Sequence, residues 1–259
     1  ARPLSCHQRR MPPPVFFTAK RKAEEALAMF PRYSARLLLS IRLLTPLLTK
    51  DDDPFYLFDN PVRKDHILGL PCMSAAAIKG LAADAYQRAF PGTVNWKDEK
   101  QQAGVHHFRS DDQSALRLFG IADDGAKIES EKGRLHFSPV WFNNLQLLVM
   151  NPGKPETAMG TLPIQFEAIA PNQTGVLEVI YFNPHGTTDS DEATVRADLA
   201  RWLAAVASWW PVLGLGAKRL AGYGAIQIEG VELRTIGWRG VAAKGENSWI
   251  KLAHWIAGE

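Results

Sequence analysis

The chain predicts an α+β fold, a ferredoxin-like βαββαβ (RRM-like) core carrying long insertions. Two observations lead there. Apolar residues alternate along several strand-like runs, and two longer stretches space them at helical intervals. In chain order these elements give the split pattern β-α-β-β-α-β. A length of 259 residues, 46% of them hydrophobic, allows one elaborated domain with a substantial core or two small ones.

Over residues 36–44, Leu37, Leu39, Ile41 and Leu43 share one face, with Arg36, Ser40 and Arg42 on the other. This is a strand with a basic face. Ser74 caps a helix whose Ile78, Leu81, Ala82, Ala85 and Ala89 fall on one side, and Pro91-Gly92 stops it. Strands follow over 134–142 and 176–182. Asp191 opens a second helix with Val195, Leu199, Trp202, Leu203 and Val206 as its apolar stripe, ended by Gly214. Residues 225–229 form the last strand, and a helical pattern through Trp249, Leu252, Ala253 and Ile256 closes the chain. The division is a basic arm at 1–34, a domain at 35–230 with insertions at 91–132 and 143–175, and an extension at 231–259.

A net charge of +3 is too mild to identify a partner, so its distribution matters more. Arg2, Arg9, Arg10, Lys20, Arg21 and Lys22 stand in the first 22 residues without one acidic residue. That arm reads either as a solvated, proline-containing tail or as a polyanion-binding segment. No apolar run approaches the roughly 20 residues that span a bilayer, and the N-terminus lacks the apolar core of a secretion signal, so no membrane partner and a cytoplasmic location are expected. Cys6 and Cys72 suit neither a disulfide framework nor a zinc site.

Residues 214–224 read Gly-Leu-Gly-Ala-Lys-Arg-Leu-Ala-Gly-Tyr-Gly. A P-loop requires Ser or Thr after its lysine, but Arg219 follows Lys218. A dinucleotide fingerprint requires a strand before the loop and a glycine where Arg219 stands; here a helix precedes. A helix C-cap followed by a turn explains the glycines, and the paired cations tilt the loop toward nucleic acid.

Asp59-Asn-Pro-Val62, Leu70-Pro-Cys-Met-Ser-Ala-Ala-Ala-Ile-Lys-Gly80, Arg117-Leu-Phe-Gly120 and Gly133-Arg-Leu-His-Phe137 occur in that order before the glycine loop. With them the chain resembles the RAMP superfamily of CRISPR proteins, most of all the backbone subunits (Csm and Cmr families) of type III effector complexes. The resemblance covers about residues 35–230. Met73-Ser-Ala-Ala-Ala77 replaces the family's Pro-Gly-Ser-Ser, and Lys50-Asp-Asp-Asp-Pro-Phe-Tyr56 stands where a His-x-Gly-Gly segment is usual.

The resemblance implies a subunit that holds crRNA and assembles with other effector subunits, including copies of itself. Ser74, Lys79, Gly214, Gly216, Lys218, Arg219, Gly222 and Tyr223 are then the RNA-binding candidates, with the amides of Gly214 and Gly216 gripping phosphates and Tyr223 stacking on a base or packing in the turn. It also implies cleavage of target RNA through Asp59, which would work with Mg2+ or another divalent metal. An Asx-turn is the alternative role for Asp59. A non-catalytic capping subunit, or a stand-alone metal-independent endoribonuclease for precursor crRNA, are the other readings; the latter would use a histidine such as His66, His106 or His107. Trp96 and Phe108 are candidates to wedge between bases, and Trp202, Trp209 and Trp210 form either a packing face or a subunit interface.

Overall fold

A computed structural model of the chain describes residues 29–51, 60–91, 108, 111–121, 131–150, 163–185, 190–238, 252 and 256. In chain order the elements are β1 (Ala35–Leu43), β2 (Cys72–Met73), α1 (Ala75–Ala89), α2 (Gln113–Phe119), β3 (Gly120–Ile121), β4 (Glu131–Lys132), β5 (Leu135–Phe137), β6 (Val140–Trp141), β7 (Leu145–Met150), β8 (Ile164–Ile169), β9 (Thr174–Tyr181), α3 (Glu192–Leu213) and β10 (Ile226–Thr235). The fold is α+β. Its main sheet runs β10-β1-β9-β5, with every neighbouring pair antiparallel.

The alternation in β1 decides which face is covered. Ala35, Leu37, Leu39, Ile41 and Leu43 are essentially inaccessible and join Leu177, Val179 and Tyr181 of β9 in a core shared with α1 and α3. Burying each leucine stabilises the fold by roughly 1.5–3 kcal/mol. Ile78, Ala82 and Ala85 of α1 and Val195, Leu199, Trp202 and Val206 of α3 supply the helical side. Ser74 caps α1 by accepting from the Ala77 amide at 3.3 Å, and Asp191 caps α3 by accepting from the Thr194 amide at 2.7 Å. Hydrogen bonds from Thr194 hold the Asp191 carboxyl below the usual carboxylate range. At the other end of α3 the Gly214 amide donates to the Trp210 carbonyl at 2.9 Å.

Three expectations need correction. The strand over 134–142 is two: β5 pairs with β9 and β6 with β2, with Ser138-Pro139 between them, because Pro139 has no amide to continue a ladder. The last strand continues to Thr235, with Glu229 as the extra residue of a bulge opposite Ser40 and Ile41. The outer face of β1 is not bare cation, since Arg36 pairs with Glu178 and Arg42 with Glu229. The insertions also carry elements of their own, α2 in the first and the β7–β8 hairpin in the second.

Two of the family-like segments prove to be internal fastenings. Asp198 of α3, fully buried, accepts from Ser114 Oγ at 2.6 Å, Arg117 Nε at 2.9 Å, Arg117 Nη2 at 2.8 Å and the Tyr181 hydroxyl at 2.9 Å. Burial and the Asp198 charge push the Tyr181 hydroxyl pKa far up, so it remains a donor. The Arg134 amide donates to the Arg117 carbonyl at 2.7 Å, and a Cβ on Gly133 would come within 2.6 Å of the Phe119 carbonyl oxygen. Arg117-Leu-Phe-Gly120 and Gly133-Arg-Leu135 therefore lie against each other and pin α2 to α3. Phe108 stacks on Phe119 at 5.2 Å and meets Tyr86 edge-on, so it is packed and not free to wedge between bases. Trp202 and Trp210 are core residues, whereas half-buried Trp209 lies under the Arg88 guanidinium. Leu252 and Ile256 are helical and buried in the same core; Trp249 and Ala253 lie outside the described residues.

Candidate nucleic-acid interface

Four separate stretches of chain meet around an open cleft of about 450 Å³. Leu48, Thr49 and Lys50 enter from the segment after β1, Arg63 from the segment before β2, and Gly216, Ala217 and Arg219 from the glycine loop. The floor is the face of α1 bearing Ser74, Ala77, Gly80, Leu81 and Asp84, whose spacing of three to four residues places them in one line along the helix.

The glycine loop is built to sit against the segment after β1. The Ala217 amide donates to the Leu48 carbonyl at 2.8 Å, the Gly224 amide to the Pro46 carbonyl at 2.8 Å, and the Leu215 amide closes the loop on the Gly224 carbonyl at 2.7 Å. Gly224 takes φ +70°, and a Cβ there would collide with the Leu215 carbonyl oxygen. The Arg63 amide donates to Thr49 Oγ1 at 3.0 Å, which joins the segment before β2 to the segment after β1.

Most of the described arginines outside the cleft are paired with acids. Arg36, Arg42, Arg88, Arg117, Arg196, Arg201 and Arg234 each meet a carboxylate. Arg63 and Arg219 both line the cleft, and neither has a carboxylate partner among the described residues. Two guanidiniums without a carboxylate partner among the described residues, together with the Lys50 ammonium around one concavity, suit an anionic ligand with several charges.

The expected RNA-binding residues divide. Ser74, Gly216 and Arg219 line the cleft. The Gly214 amide is taken up by the end of α3, so it does not grip a phosphate. Lys218 turns toward the hairpin, its Nζ 4.6 Å from the centre of the Phe166 ring and 3.7 Å from Met150 Sδ. Tyr223 packs in the turn against the cluster of Leu48, Phe166 and Ala168. Gly222 is exposed at the tip of the loop. Lys79 is absent from the cleft lining and acts instead on His136 of β5, where burial first and the Lys79 charge second lower the imidazole pKa. Lys50 and Arg63 are members that the sequence reading misses; position is the available signal, since Arg63 directly follows Asp59-Asn-Pro-Val62.

Asp59, Asp52, Asp53, Trp96, His106, His107 and residues 1–28 of the basic arm lie outside the described residues. The described end of the aspartate motif is anchored to β8: the Asn60 carbonyl accepts from the Glu167 amide at 3.0 Å, and Glu167 Oε2 accepts from the Val62 amide at 3.1 Å and Lys64 Nζ at 2.7 Å. His66 is exposed on a turn organised by Asp65, whose carboxyl is held low first by the Leu68 amide and then by Trp141 Nε1. Among the described residues no three His, Cys, Asp or Glu side chains gather as a metal would need, and no helix is long and apolar enough to cross a membrane.

The family model described as "RAMPs: RAMP superfamily" matches residues 40–227. Among solved structures, the chain is similar to one in the cryo-EM structure of the type III-B Cmr-beta bound to cognate target RNA, with 17% identity, a TM-score of 0.57 and coverage of 85% of this chain. It spans 66% of the length of that chain. It is also similar to a chain of a type IV-B CRISPR complex, with 16% identity, a TM-score of 0.52 and coverage of 83% of this chain and 97% of that one. At these identities the likeness is one of fold. No curated protein sequence matches.

Proposed function

Because the chain belongs to the RAMP superfamily, we propose that it is a crRNA-binding backbone subunit of a type III CRISPR effector complex, working in the cytoplasm with other effector subunits, copies of itself among them. The observation that carries this reading is the convergence of Arg63 and Arg219, without carboxylate partners among the described residues, on one cleft with Lys50. Phosphates of a strand crossing the cleft would meet the two guanidiniums, each able to make paired hydrogen bonds. We also infer a ferredoxin-like core over most of 35–230, supported by the order fourth, first, third, second among the core strands β1, β5, β9 and β10.

Binding of single-stranded RNA to the full chain, measured by fluorescence anisotropy over a salt series, tests the reading. Arg63→Ala with Arg219→Ala should weaken binding and reduce the log–log salt slope by about 1–2, as expected when one or two phosphate contacts are lost. Equal affinity and slope in the double variant would overturn it.

Target-RNA cleavage through Asp59, with a divalent metal, is the finer part of the proposal and rests on the Asp59-Asn-Pro-Val62 motif. An assembled complex carrying Asp59→Ala that still cuts target RNA at every wild-type position would leave the subunit in a structural, capping role.

A further inference from the structure

We propose that Asp84 recognises ribose 2′-hydroxyls, so that the cleft selects RNA over DNA. The inference rests on reading the cleft as a nucleic-acid site.

Asp84 is the one acidic residue among the described residues of the lining, set among Lys50, Arg63 and Arg219. Such a carboxylate cannot touch the phosphates those cations attract, because both groups are acceptors and both are negative. A ligand group that touches it must therefore be a donor. One of its oxygens accepts from Arg88 Nε at 3.0 Å, while the other has no partner among the described residues. The Arg88 guanidinium also lies over the Trp209 ring, and Arg88 is not part of the lining.

The remaining lining narrows the choice of donor. A nucleic-acid strand offers donors on base edges and on the ribose. Among the described residues no aromatic side chain lines the cleft, so none of them offers a stacking platform for a base. The cleft suits the sugar–phosphate backbone, whose only recurring donor is the 2′-hydroxyl. Ser74 and Thr49 already accept from the Ala77 and Arg63 amides, which leaves their hydroxyl protons for phosphate oxygens.

Gly80 gives independent support. A Cβ at this position would meet no heavy atom within 4 Å, so the packing of the fold does not require glycine, and glycine inside a helix is less stable than alanine. Its bare backbone, one turn before Asp84, lets a sugar approach the helix closely.

The test compares one single-stranded sequence as RNA, as 2′-fluoro RNA and as DNA. The fluoro strand keeps the sugar pucker of RNA but has no hydroxyl proton. Wild-type protein should bind RNA about tenfold more tightly than the fluoro strand, as expected for a hydrogen bond to a carboxylate. In Asp84→Ala that ratio should fall toward one. Removing a negative charge alone would tighten all three strands equally and leave the ratio intact, so a ratio unchanged by the substitution overturns the proposal, as does a wild-type ratio of one. Failure of every strand to bind folded wild-type protein would instead refute the reading of the cleft itself. Asp84 is partly exposed and alanine favours helices, so the variant should fold.

Discussion

Replacing Asp198 with alanine should destabilise the chain by about 3–5 kcal/mol, the range for removing one partner of a buried ion pair. The carboxylate is fully buried and takes four hydrogen bonds, two of them from an Arg117 side chain that is itself only 13% exposed. Without it the Arg117 guanidinium loses its buried salt-bridge carboxylate, and the Ser114 and Tyr181 hydroxyls lose their acceptor. These losses share one network and will not add. Typical domains are stable by only about 5–15 kcal/mol, so the effect is large. Trp202, fully buried and one helical turn from Asp198, offers a fluorescence signal for urea unfolding with linear extrapolation. Asp198→Leu with Arg117→Met should destabilise less than Asp198→Ala alone, because no charge is then left unpaired. A loss under about 1 kcal/mol in Asp198→Ala, or a double variant as unstable as the sum of its parts, would refute the claim that this network fastens α2 to α3.

Two further outcomes are expected. Gly224→Ala forces a side chain onto the Leu215 carbonyl at positive φ and should destabilise by more than about 2 kcal/mol in the same urea assay, whereas Gly222→Ala meets open space and should lose only about 1 kcal/mol to backbone strain. Equal losses would mean that the loop is not closed as described. The lowered His136 pKa means that the unfolded chain binds the proton first, so its contribution to stability is complete above the ordinary value of 6.5 and is lost as the pH falls through the lowered one. Melting temperatures from about pH 7 to 5 should fall further in wild type than in His136→Gln, and parallel curves would exclude the effect.

What is legible in the sequence depends on whether the deciding contacts are local. The period of two in β1 and the caps Ser74, Asp191 and Gly214 are each set within a few residues, and they stand where the pattern places them. The β7–β8 hairpin escapes the pattern because Leu145, Leu147 and Val149 are apolar yet exposed, so no inside-outside alternation marks the strand. The seven-residue α2 is too short for a periodic signal and owes its place to Asp198, 81 residues beyond Arg117. The cleft is half legible: Ser74, Gly216 and Arg219 belong to it, but their meeting with Arg63 follows from hydrogen bonds between segments distant in sequence.

The glycine loop shows that residues of a motif can serve the fold where their types suggest a ligand. Its glycines look suited to bring backbone amides against phosphates, yet the Gly214 and Gly224 amides are used internally and the Ala217 amide holds Leu48. Of the loop's side chains, Arg219 is the charged one that lines the cleft. An interface of cations, hydroxyls and one carboxylate, with no ring among its described residues, has little means of preferring one base over another. On the proposed function that is a requirement, since a subunit holding guides of many sequences must bind what they share, the phosphates and riboses. Affinity should therefore depend steeply on salt and weakly on sequence, and a marked preference among homopolymer RNAs in the anisotropy assay would argue that bases are read at a surface other than this cleft.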